Sequence, residues 1–159
     1  MSKTITIGRV VPTAEDKIPA EAPVMYPDVT FVARGVGVRA LTPEGYEPAM
    51  AAILPAAEQL ARQGVDAIMV IGTSLTFYKG AAAHRRLLDD LRAATGLPVS
   101  TMSQAVVDGL RAVGAKKLAV ATAYDGEVNR RLKDFLIHGG FEVRAIDGFG
   151  NVVISVPGA

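Results

Sequence analysis

The sequence predicts an α/β fold, a parallel sheet of βαβ units with flanking helices. Two observations predict it. Short β-branched runs alternate with stretches of helical apolar spacing, the pattern of crossover units around a parallel sheet. The strand-like runs are apolar through their centres, as strands covered on both faces must be. A further observation concerns organisation: the runs at 4–11 and 117–122 each open an α/β unit, a little over a hundred residues apart, which suits two similar halves. The boundaries are residues 1–115 for a first α/β half and 116–159 for the opening βαβ of a second.

The elements follow in order. Thr4 to Val11 (TITIGRVV) is a buried strand that stops at Pro12. Residues 13–41 carry Pro19, Pro23, Pro27, Gly35 and Gly37, with one short strand-like run at Val29–Val32. About thirty irregular residues are uncommon in a compact domain unless they form a lid or a binding wall. Thr42-Pro43-Glu44 reads as a helix start, with a Thr N-cap, Pro at the first helical position and an acid in the first turn. Tyr46, Met50, Ile53, Leu54, Ala57 and Leu60 share a face of that helix, Pro55 should kink it, and Gly64 ends it.

Asp66 to Ile71 is the next strand, followed by Gly72-Thr73-Ser74. A helix over about 80–95 turns Leu87, Leu88 and Leu91 inward and Arg85, Arg86, Asp89 and Asp90 outward. Val99–Thr101 is a short strand, and a helix over about 103–113 ends at Gly114. Lys117–Thr122 is a strand, 126–137 a helix closed by Gly139-Gly140, and Phe141–Ile146 a final strand. The apolar tail Asn151–Ala159 follows without a further helix.

Composition narrows the chemistry. The 159 residues are 50% hydrophobic and 21% charged, a globular balance, and the length suits one ordinary domain. Seventeen basic against sixteen acidic residues leave a net charge of +1, with no electrostatic footprint for nucleic acid or anionic lipid. There is no cysteine, so this sequence supplies no disulfide, thiolate metal site or thiol nucleophile. With only His84 and His138, a histidine-rich metal site is not expected either. No run reaches the ~18 consecutive apolar residues of a membrane span. The N-terminus lacks the apolar core of a signal peptide, and the expectation is a cytoplasmic protein.

In open parallel sheets, ligands bind beyond the carboxyl ends of the strands. Gly72-Thr73-Ser74 is the most informative of these ends. A glycine permits a tight turn, and two hydroxyls and free amides then face an anion, although Thr and Ser here also suit a plain helix cap. Thr122 and Tyr124 offer a second group of hydroxyls, against the alternative of a packed tyrosine with Asp125 as N-cap. Thr101 and Ser103 fit a strand end and a helix cap. His84 lies beside an apolar stripe, and His138 sits at a helix C-terminus where its charge suits the dipole. Lys79, Arg85 and Arg86 form a solvated basic face. Gly35-Val-Gly37 lacks the third glycine and helix start of a dinucleotide fingerprint.

Several segments together resemble the arylmalonate decarboxylase family, within the aspartate/glutamate/hydantoin racemase superfamily. They are Ile71 to Gly80 (IGTSLTFYKG), Leu41 to Tyr46 (LTPEGY), Met25-Tyr-Pro-Asp28, Ala94 to Pro98 with Thr101-Met-Ser103, and Ala121 to Tyr124 with Val128-Asn129. The likeness runs from about Thr4 to Gly150. It implies a racemase-like fold of two pseudo-symmetric halves with the site in the cleft between them, and no cofactor. It further implies a small dicarboxylate substrate, with Thr73, Ser74 and Tyr124 holding one carboxylate and the enediolate left by decarboxylation. Gly72, Pro12, Val38, Leu41, Tyr46 and Leu75 would form the substrate pocket. The superfamily's isomerases and racemases place a cysteine where Gly72 stands; the decarboxylases keep only the cysteine of the second half.

That cysteine is absent from this sequence, and the expectation is a truncated second half with self-association through its incomplete edge. Alternatives to decarboxylation are a non-catalytic carboxylate-binding module, a maleate isomerase or racemase activity, which Gly72 opposes, and a purely structural oligomer.

Overall fold

The computed structural model describes residues 4–150. Four parallel strands form the first sheet, β1 (Ile5–Val11), β2 (Val29–Gly35), β3 (Ala67–Val70) and β4 (Val99–Thr101), in the order β2-β1-β3-β4. A second sheet pairs β5 (Lys117–Thr122) with β6 (Glu142–Gly148), also parallel. The connecting helices are α1 (Glu21–Met25), α2 (Pro43–Arg62), α3 (Thr73–Phe77), α4 (Ala81–Thr95), α5 (Met102–Ala112) and α6 (Gly126–His138). The tail at 151–159 lies outside the described residues.

Local chemistry accounts for most boundaries. Thr42 caps α2, its hydroxyl accepting from the Gly45 amide, with Pro43 in the first turn. The helix continues through Pro48 and Pro55 to Arg62. Asp125 caps α6 by accepting from the Val128 amide at 2.8 Å. Thr101 ends β4 and caps α5, accepting from the Gln104 amide at 3.0 Å.

Three features depart from the sequence reading. The stretch 13–41 is more ordered than expected: it contains α1, and the run at Val29 continues to Gly35 as an edge strand in full register with β1. A parallel partner supplies the hydrogen bonds that the glycines and arginine of this stretch could not announce. A separate five-residue helix, α3, also precedes α4. Ser103, expected as a helix cap, sits inside α5, because Thr101 already holds the cap.

The core lies between α2, α4 and the first sheet. Tyr46, Ile53, Leu60, Val10, Val70, Leu91 and Phe77 are fully buried there. The β5–β6 unit docks through α3, α4 and α6. Phe135 of α6 meets Phe77 at 6.1 Å between centroids and the His84 ring edge-on at 5.2 Å. Arg131 stacks 4.3 Å over Tyr78 and donates to its carbonyl at 3.0 Å. No helix among the described residues is long and apolar enough to cross a membrane.

Candidate functional site

The carboxyl ends of β1 and β3 meet the start of α3 and the turn after β5, and a cavity of about 290 Å³ opens between them. That volume is close to the lower end of the ~300–1,000 Å³ range of small-molecule sites. All nine residues expected in a site line it. Pro12, Val38, Leu41, Tyr46 and Leu75 build the wall, and Gly72, Thr73, Ser74 and Tyr124 supply the polar end. Ile71 and Met102 complete the lining and were not among the expected residues. Both stand inside quoted segments, Ile71 before Gly72 and Met102 between Thr101 and Ser103, so the signal was adjacent.

The segment after β2 closes the wall. Val36 donates its amide to the Val11 carbonyl at 2.9 Å, and Val38 donates to the Pro12 carbonyl at 2.7 Å. This lacing brings Pro12 and Val38 to the same side of the cavity. It makes the irregular run after β2 part of the cavity wall.

Gly72 turns the chain from β3 into α3 at φ +100° and ψ 104°, a conformation that side-chain-bearing residues rarely adopt. Its amide donates to the Met102 sulfur at 3.2 Å. Thr73 follows, and its Oγ1 lies 2.7 Å from the Tyr124 hydroxyl. Their mutual hydrogen bond uses one of the pair's two hydroxyl protons and leaves the other for an acceptor in the cavity. The pair therefore favours an anionic or carbonyl oxygen. None of the lining residues carries a formal charge, so any anion there is held by dipoles, and the apolar wall disfavours a second charge.

Tyr124 is itself fixed. Its amide donates to Thr122 Oγ1 at 3.0 Å, and Thr122 Oγ1 in turn donates to Asn129 Oδ1 at 2.7 Å. Gly148 fits against this cluster, since a Cβ there would come within 2.7 Å of Thr122 Oγ1. Tyr46 is fully buried with its hydroxyl unpartnered, close to the Ser74 hydroxyl and stacked 4.4 Å from Tyr78. Burial pushes its phenol well above the ordinary value, so it stays protonated.

The remaining candidates lie elsewhere. Ser103 is buried under α3, 2.9 Å from the Thr73 carbonyl and 2.6 Å from Thr76 Oγ1. His138 donates Nδ1–H to the Asp134 carbonyl at 2.8 Å at the end of α6. Lys79 pairs with Glu47 at 3.6 Å on the surface, and Arg85 and Arg86 are exposed. Among the described residues no group of three or more His, Asp or Glu could hold a metal ion.

His84 is buried, with Nε2 2.7 Å from Thr101 Oγ1. Desolvation first, and Arg92 second, lower its pKa, so protonation opposes folding. Above the ordinary value near 6.5 its imidazole is neutral in both folded and unfolded chains. Below it the unfolded chain takes up a proton that the folded one resists, and stability falls towards the depressed folded value. Denaturant unfolding at pH 8, 6 and 5 is expected to show this loss, and His84→Asn to flatten it; equal slopes in both proteins would refute the assignment.

A second, larger hollow of about 520 Å³ runs along β5 from Leu118 to Tyr124, with Val106 and Leu110 of α5 and Leu132 and Leu136 of α6 around it. β5 has β6 on one side and no strand on this one among the described residues.

The arylmalonate decarboxylase of Bordetella bronchiseptica is 46% identical over 135 residues, covering 85% of this chain and 56% of its own length. A liganded double mutant of arylmalonate decarboxylase superposes with a TM-score of 0.90 at 41% identity, over 94% of this chain and 64% of that one. A Pseudomonas putida maleate isomerase matches with a TM-score of 0.87 at 24% identity, covering 95% and 66%, and shows the shared racemase-like fold alone. The chain thus spans somewhat over half the length of the curated relative. The family model of arylmalonate decarboxylase matches residues 7–156, through every element that builds the cavity, and the chain belongs to that family.

Proposed function

We propose that the cavity binds an aryl-substituted malonate and promotes its decarboxylation without a cofactor. The observation that carries this reading is the Thr73–Tyr124 hydroxyl pair at 2.7 Å, set at the polar end of an otherwise apolar pocket. One carboxylate accepts hydrogen bonds from Ser74 and from the hydroxyl proton that the Thr73–Tyr124 pair leaves free. The other lies against Val38, Leu41 and Leu75, where its charge is poorly solvated. The bond from the α-carbon to that carboxyl carbon breaks and carbon dioxide leaves. The electron pair stays on the α-carbon and spreads into the held carboxylate as an enediolate. The same donors stabilise this charge better than the ground-state carboxylate, which is the requirement for acceleration.

Completion of the reaction needs one proton on the α-carbon. These 159 residues contain no cysteine to deliver it as a thiol. We place the remainder of a second α/β half along the open side of β5, with 116–159 as its opening βαβ. β1 offers the analogy: it carries a parallel strand on each side, β2 and β3, and β3 delivers Gly72 and Thr73 to the cavity. A strand on the free side of β5 would deliver its own turn beside Thr73 and Tyr124, both of which border the 520 Å³ hollow.

The absence of the thiol favours a second reading for this chain alone, a carboxylate-binding module without turnover. One experiment separates them. Phenylmalonate is added to the purified protein and to Tyr124→Phe, and binding and released carbon dioxide are measured. Binding with carbon dioxide release, both weakened in Tyr124→Phe, supports the decarboxylase reading. Binding without release supports the module, and no binding refutes both.

A further inference from the structure

We propose that Ser103 is a positioning residue that aims Thr73 at Tyr124, acting from α5 across the interface with α3. This rests on the reading of the Thr73–Tyr124 cavity as a carboxylate site. α3 has five residues, too short to hold its own conformation, and it starts from the turn at Gly72. Something outside the helix must set its rotation. Ser103 Oγ lies 2.9 Å from the Thr73 carbonyl and 2.6 Å from Thr76 Oγ1. Thr76 Oγ1 itself lies 3.1 Å from the Thr73 carbonyl and 3.3 Å from that of Gly72.

The protons can be assigned. With Ser103 donating to the Thr73 carbonyl, Thr76 donates to Ser103 or back to the Gly72 and Thr73 carbonyls. In either arrangement Ser103 holds the Thr73 carbonyl, and Thr76 either buttresses Ser103 or holds the Gly72 and Thr73 carbonyls itself. Ser103 is 2% exposed and Thr76 4% exposed, so water does not replace a missing partner cheaply. Neither hydroxyl lines the cavity. Their effect on a ligand passes through the direction of Thr73 Oγ1, whose bond to Tyr124 joins the segments that follow β3 and β5.

The test compares Ser103→Ala, Thr76→Val and Thr76→Ser in the full 159-residue chain. Phenylmalonate affinity is measured by calorimetry, and the Tyr124 Cζ resonance is followed in protein carrying labelled tyrosine. Ser103→Ala and Thr76→Val are each expected to weaken phenylmalonate at least tenfold. Both should move the Tyr124 resonance towards its position in Thr73→Val. Thr76→Ser keeps the hydroxyl and should stay within twofold with an unmoved resonance. If Ser103→Ala does not fold, the near-isosteric Thr76→Val decides in its place. A wild-type Tyr124 resonance in Ser103→Ala and Thr76→Val, where Thr73→Val displaces it, overturns the proposal, as does equal loss in Thr76→Val and Thr76→Ser. A wild-type protein that binds no phenylmalonate overturns the carboxylate reading, and the resonance still decides for Ser103 because it needs no ligand.

Discussion

Thr73→Val is expected to weaken phenylmalonate binding by about one to two powers of ten. The substitution keeps the shape of the side chain and removes one donor to a charged acceptor, which is worth about 1.5–3 kcal/mol. By the usual conversion this is roughly a ten- to hundredfold rise in Kd. It also leaves the Tyr124 hydroxyl, 2.7 Å away, without its partner. Because the two hydroxyls share one hydrogen bond, the losses in Thr73→Val and Tyr124→Phe should not add. The double variant should bind about as weakly as the worse single one, since groups in one hydrogen-bond network couple. Calorimetric titration of the three variants checks this. Affinity within twofold of wild type, or strictly additive losses, would refute the shared-donor geometry.

Phe77→Ala should cost the largest amount of stability, about 3–5 kcal/mol, as for other fully buried aromatic rings. Phe77 ends α3 with no exposed surface and meets both Tyr124, at 6.0 Å, and Phe135, at 6.1 Å. It therefore belongs to the packing of the first sheet's helices and to the docking of the β5–β6 unit at once. A chain of this size loses about 2–4 °C of melting temperature per kcal/mol, so a fall on the order of 10 °C is expected. Phe77→Leu, which keeps most of the volume, should cost less than about 1.5 kcal/mol. Denaturant unfolding of both variants measures the difference; a loss below about 1 kcal/mol in Phe77→Ala would show that the ring is not a shared anchor.

The parts of the fold that local chemistry determines could be read directly. β1 shows in the β-branched run after Thr4, α2 in Thr42-Pro43 and the spacing from Tyr46 to Leu60, and α6 in Asp125 followed by its apolar stripe. What escaped depends on partners distant in sequence. The continuation of β2 through Ala33-Arg34-Gly35 has poor strand chemistry, yet its backbone is satisfied by β1. α3 is hidden because its five residues carry too little periodicity to register. For the site, seven of the nine expected residues stand in the segments that carry the resemblance, with Pro12 and Val38 outside them, and all nine lie around one cavity. Their relation was not legible. That Thr73 bonds to Tyr124, and that Ser103 reaches back to α3, are facts of tertiary packing across 51 and 30 positions.

The placing of the two hydroxyls just beyond strands of separate sheets, β3 and β5, carries a thermodynamic consequence. A ligand held by Thr73 and Tyr124 together binds only when the β5–β6 unit is docked, and has no comparable site on either unit alone. Its binding free energy is then added to the docking equilibrium, about 2.7 kcal/mol at a hundred times Kd. Occupancy would act as a clasp, merging the partial openings of the two units into a single transition. The site would thus be a part of the molecule's cohesion whenever it is filled.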